Sequence, residues 1–165
     1  MVDDVGLKPV AERAQEIVDA NEELVAFVKS CSHSDWARVC EGETWPVGVV
    51  AYHVAAGHRV VAEWIYELLA GGVSLTRDEL NAANAAMAAQ HADVTPVEVI
   101  DLSRRNVQIL AAMLRRLSEN DLRATAPFGP AGGMGVPVDD IAGSRDHLDR
   151  HLASMRAAVG GLGEA

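Results

Sequence analysis

Thr44-Trp45-Pro46-Val47-Gly48-Val49-Val50-Ala51-Tyr52-His53-Val54-Ala55 decides how the rest of the chain is read. Proline fits the first turn of a helix, where its missing N–H has no partner to lose, and Thr44 is the expected N-cap. Val50, His53, Gly57, Val60, Val61, Trp64 and Leu68 then recur at helical spacing as the inner face, and Gly71-Gly72 ends the element. His53 lies within this apolar stripe rather than on a solvated face. A buried imidazole left without partners is costly, so His53 is either a hydrogen-bonded core histidine or a ligand.

Outward from this helix the periodicity stays helical. Val10, Ala14, Ile17, Leu24 and Val28, flanked by Val18 and Val25, draw one stripe over residues 9–29. Residues 77–90 form a short Ala-rich helix whose weak stripe places it on the outside of the main body. Thr95-Pro96-Val97-Glu98 is a capping box with proline in the first turn, and Ile100, Val107, Leu110, Leu114 and Leu117 carry that helix to Ser118. A flexible Gly- and Pro-rich loop is expected over 126–137, after which Val138 opens the last long helix, with Ile141, Leu148, Leu152, Met155 and Val159 inward. Strand-like alternation is nowhere sustained. Four long amphipathic helices and one short one make an all-α bundle.

The last helix carries a second signal. His147 and His151 stand four residues apart, one helical turn, so both imidazoles share a face and can share one metal ion. His53 from another helix would complete a three-nitrogen set with coordination positions left open for chemistry. Asp140, Ser144, His147, His151 and Ser154 form a polar wedge beside the apolar stripe, the pattern of a helix lining a cavity. Gly57, one turn beyond His53, leaves space there, and Asp146 and Asp149 are near enough in sequence to support the imidazoles from behind. By ligand type, three imidazoles suit zinc, nickel, iron or copper.

The chain of 165 residues is long enough for one domain with a full core, here about residues 8–160. A net charge of -10 with no basic patch argues against nucleic acid. No apolar run reaches the ~20 residues of a membrane span, and the start lacks the basic and apolar regions of a signal peptide, so a cytoplasmic protein is expected. Cys31 and Cys40 form no C-x-x-C and are read as packing residues near a helix end.

The segment Thr44–Ala55 resembles a helix of the DinB-like superfamily, in which a tryptophan opens the second helix and a metal-binding histidine follows eight residues on, as Trp45 and His53 do. Asp146-His-Leu-Asp-Arg-His151 looks like that superfamily's paired histidines on the last helix. Asn81-Ala-Ala-Asn-Ala-Ala, the capped third helix and Asn120-Asp121-Leu122 are similar to the N-terminal domains of mycothiol-dependent maleylpyruvate isomerases. The resemblance implies a four-helix bundle with a long crossover, residues 71–95, between its second and third helices. It also implies a divalent metal, zinc or nickel, on His53, His147 and His151. The implied activity is that of a low-molecular-weight-thiol (mycothiol-type) dependent S-transferase or isomerase acting on a small electrophile. The isomerases carry a further C-terminal domain while this sequence stops at Ala165, so maleylpyruvate isomerisation itself is not expected. The alternatives are a metal- or small-molecule-binding protein without turnover, and a scaffold whose site has decayed. A homodimer through apolar helix faces fits the architecture.

Other residues are read more plainly. His58, about 140° around the helix from His53, is expected at the surface or an interface, and His33 and His91 are expected to be solvated. Gly129–Gly135 lacks the Lys-Ser/Thr ending of a phosphate loop, and no strand is expected ahead of it. Ser144 near His147 has no oriented third group for a nucleophile–base pair. Trp36, Trp45 and Trp64 are taken as packing residues, and Arg59, Arg104 or Arg145 as possible partners for a substrate carboxylate. No separate general base stands out; Asp140 and Ser144 are the positions that helical phase offers.

Overall fold

The structure is a computed structural model and describes residues 8–142 and 145–160. Its helices are α1 (Val10–Ser30), the single turn α2 (His33–Trp36), α3 (Val47–Ala70), α4 (Arg77–Gln90), α5 (Pro96–Leu114), α6 (Glu119–Arg123), α7 (Val138–Ala142) and α8 (Arg145–Gly160). Between α6 and α7, β1 (Thr125–Phe128) and β2 (Met134–Pro137) pair antiparallel. The fold is all-α apart from this ribbon.

α1, α3, α5 and α8 build the bundle: α5 and α8 each lie against both α1 and α3. The stripe expected for α1 is buried at Ala14, Ile17, Leu24 and Val28. Of the one expected for α3, Val50 and Leu68 are buried while His53, Gly57, Val60, Val61 and Trp64 are half-buried, and Val54 and Ile65 supply further buried positions. One half of the core gathers Ile65, Leu68, Leu114, Leu122, Phe128 and Val138. The other gathers Leu24, Val28, Val50, Val54, Val99, Leu148, Leu152 and Met155. Leu148, Leu152 and Met155 are at most 2% exposed. Burying such side chains stabilises by roughly 2 kcal/mol each, enough to fix α8 and the phase of the histidines beside them.

The crossover from α3 to α5 contains α4, which has no buried residue. A half-buried row of Leu80, Asn84, Met87 and Ala88, spaced by four, three and one residues, runs along it, as expected of a helix covering the outside. Thr76 with Glu79, and Thr95 with Glu98, form capping boxes that start α4 and α5.

Several local expectations are corrected. The segment 126–137 is a hairpin rather than a flexible loop, so strand structure is present where no alternation was seen. Four-residue strands are too short to show a period, and theirs is stabilised by docking: Val73 N–H donates to Pro127 O (2.9 Å) and Gly129 N–H to Val73 O (2.7 Å). α5 ends at Leu114, and Ser118 instead caps α6 through Asp121. The last long helix is described over Val138–Ala142 (α7) and Arg145–Gly160 (α8). Thr44 is not the cap of α3. Pro46 holds that place, its carbonyl accepting from Val49 and Val50, while Thr44 takes φ 62° in the preceding loop.

Candidate metal centre

The inner face of α3 and the polar edge of α8 meet at His53, His147 and His151. One nitrogen from each of the three imidazoles comes within 4.8 Å of the other two. Ring centroids are separated by 5.4 Å for His53 and His147, 5.1 Å for His53 and His151, and 4.5 Å for the α8 pair. All three side chains are half-buried. The two Nε2 atoms of α8 are 3.1 Å apart. Two imidazole nitrogens bound to one zinc at the usual ~2.0–2.1 Å stand about 3.3 Å apart in tetrahedral geometry, so this pair already has the required spacing. The donor set fits a divalent ion.

The electrostatics agree. Burial, reinforced by the neighbouring His151, pushes His53 down to about 4. Burial, with His151, His53, Arg150 and His58 adding to it, pushes His147 down to about 3. Both are neutral near pH 7 and carry the free lone pair that a metal requires.

The loop ahead of α3 supplies the surroundings. Trp45 and His53 meet in a T-shaped contact with ring centroids 5.7 Å apart, so Trp45 walls the site from just ahead of α3. Glu43 Oε1 lies 2.7 Å from His151 Nδ1, and Ser154 Oγ donates to Glu43 Oε2 at 2.6 Å. Burial alone would raise the Glu43 carboxyl, but the hydrogen bonds from Ser154 and His151 hold it below its ordinary value. Cys40, in the same loop, is buried, and desolvation with the Glu43 charge pushes its thiol up to about 11, making it a packing residue rather than a nucleophile. On the other side, Ile17, Val54, Gly57, His58, Val61, Leu110 and His147 are among the residues lining a small cavity of about 30 Å³. That is space for about one water. A Cβ on Gly57 would lie 3.8 Å from His147 Cε1, an ordinary van der Waals contact, so the imidazole does not require a glycine there.

Other sequence candidates fare differently. Asp146 is exposed and Asp149 pairs with Arg145, so the carboxylate behind the imidazoles is Glu43 instead. Sequence spacing could not find it, because Glu43 is 108 residues from His151. His58 is not a surface residue: it is 4% exposed, with Nε2 2.9 Å from Asn21 Oδ1, which also accepts from Ser103 Oγ. His33 is exposed as expected, whereas His91 stacks on Tyr52 at 3.8 Å. Arg59, Arg104 and Arg145 each pair with a glutamate. Asp140 is exposed on α7, and Ser144 lies outside the described residues. Cys31 and Cys40 are both free thiols.

A family model described as the DinB superfamily matches residues 16–155. The chain belongs to the DinB superfamily. The match spans α1 through most of α8 and therefore contains all three histidines of this DinB-superfamily chain. No curated protein and no solved structure matches it. Among the described residues, no helix of this DinB-superfamily protein is long and apolar enough to cross a membrane.

Proposed function

We propose that this DinB-superfamily chain is a divalent-metal enzyme in which His53, His147 and His151 hold the ion, zinc or nickel, and a small thiol of the mycothiol type acts at the open position. The reaction is an S-transfer or isomerisation on a small electrophile. The observation carrying this reading is the convergence of three donor nitrogens, two of them on imidazoles held neutral by burial. A bound divalent ion would supply the positive charge that keeps a thiol in its nucleophilic thiolate form. His53 and His147 offer lone pairs without first losing a proton, and Trp45 shields the His53 side of the site.

Metal content measured by mass spectrometry, on wild type beside His147→Ala, tests the reading. About one zinc or nickel ion per wild-type chain, lost in the variant, is the expected result. No metal in either protein after reconstitution would overturn it. Metal-loaded protein is then offered mycothiol with small electrophiles, and product formation tests the activity.

A second reading, a metal- or ligand-binding protein without turnover, is favoured by one observation. The arginines considered for a substrate carboxylate are all paired. Metal-loaded protein that binds mycothiol without forming product would select it.

A further inference from the structure

We propose that Glu43 is the positioning residue of this metal centre: it fixes which nitrogen of His151 faces the other two imidazoles and places a negative charge behind the ligand set. The proposal rests on the metal reading above and extends it to a residue that does not itself touch the ion.

Both oxygens of Glu43 are engaged, Oε1 with His151 Nδ1 at 2.7 Å and Oε2 with Ser154 Oγ at 2.6 Å. The Glu43 and His151 side chains are each 12% exposed, so water competes little for this contact. An ionised carboxylate has no proton to give, so His151 Nδ1 must carry the hydrogen and donate it. In a neutral imidazole the lone pair is then on Nε2, the atom 3.1 Å from His147 Nε2. Glu43 thereby selects the tautomer that can bind an ion between α8 and α3. Ser154, one turn minus one residue beyond His151 on the same helix, holds the carboxylate so that it cannot swing away.

The charge matters as much as the geometry. Among the described residues, neither His53 nor His147 has a carboxylate hydrogen-bonded behind its ring. Three neutral imidazoles leave a divalent ion its full charge in a half-buried site. Glu43 reduces the cluster to one net positive charge, which a single thiolate or hydroxide neutralises. A monoanionic ligand at the open position is therefore the charge-matched one. Partners of this kind, bonded to the far nitrogen of a ligating histidine, typically change metal affinity 10–100-fold.

The test is zinc affinity by chelator competition, with the cobalt(II) absorption spectrum as a second readout, on wild type, Glu43→Gln and Glu43→Ala. Glu43→Gln keeps an oxygen that accepts from His151 but removes the charge, and is expected to weaken zinc about tenfold with the metal-free melting temperature unchanged. Glu43→Ala removes both and is expected to weaken zinc towards a hundredfold, with the cobalt bands shifted as His151 loses its orientation. Variants that bind zinc as tightly as wild type, with the same cobalt spectrum, overturn the role for Glu43 even if they melt lower, because that pattern is structural support alone. A wild type that binds neither zinc nor cobalt overturns the metal reading and this one together.

Discussion

His58 should make the fold sensitive to mild acid, and the size of the effect follows from its burial. The imidazole is 4% exposed and contacts Asn21 Oδ1 at 2.9 Å. Burial lowers its pKa from 6.5 to about 4. The unfolded chain therefore takes up the proton first as pH falls, and folding loses free energy on the way. Stability due to neutral His58 is complete above about pH 6.5, declines below it, and is gone once the pH passes below about 4. The full interval is worth about 3 kcal/mol, and about 2 kcal/mol of it is lost by pH 5. The perturbation is His58→Gln, which removes the titration but keeps an N–H for Asn21. Urea unfolding of metal-free wild type and variant, each at pH 8 and pH 5, isolates the term, because the burial that dominates the acid effects of His53 and His147 is common to both proteins. Wild type should lose about 2 kcal/mol more than the variant between the two pH values. Equal losses would refute the reasoning and show that water or a compensating charge reaches the imidazolium in the folded state.

Two further perturbations probe the packing and the loop that frame the site. A Cβ on Gly48 would stand 2.5 Å from Trp36 Nε1, so Gly48→Ala must displace an indole that donates to Val94 O at 2.8 Å; a loss of about 1–3 kcal/mol in urea unfolding is expected, and unchanged stability would show that α2 repacks freely. Thr44 is β-branched yet holds φ 62°, a region that asparagine tolerates better, so Thr44→Asn should stabilise by about 1 kcal/mol in the same assay, and a lower stability would contradict the strain.

What the sequence made legible was set by the range of the interactions. α4 and the start of α5 could be placed because periodicity and capping are local: Thr95 and Glu98 are three residues apart and bond to each other in the fold. The histidine triad could be proposed because two members lie on one helical turn and the third lies within the inner face of another helix. The burial of His58 was not legible in this way, because it depends on which helices pack around α3. α3 is flanked by both α5 and α8, so a direction away from His53 still points into protein, towards Asn21 of α1 and Ser103 of α5. The hairpin escaped because its short strands are specified by contacts to Val73, fifty or more residues earlier.

Bundle packing alone does not account for how the three imidazoles meet. α3 and α8 each present a histidine face, but the connection over residues 37–46 touches both. Arg38 donates to the carbonyls of Ala158 and Val159 at the end of α8 (3.3 and 3.2 Å), while its own carbonyl accepts from Val47 at the start of α3 (2.8 Å). Within the loop, Cys40 N–H donates to Trp45 O and Thr44 N–H to Cys40 O, both at 2.8 Å, which ties the segment into a compact turn. From that turn Trp45 meets His53 on α3 and Glu43 meets His151 on α8. One short segment thus sets the distance and the orientation of both halves of the site. The histidine spacing is a necessary condition for the centre, and the unremarkable Glu41-Gly-Glu-Thr44 stretch ahead of the tryptophan supplies the part that spacing cannot.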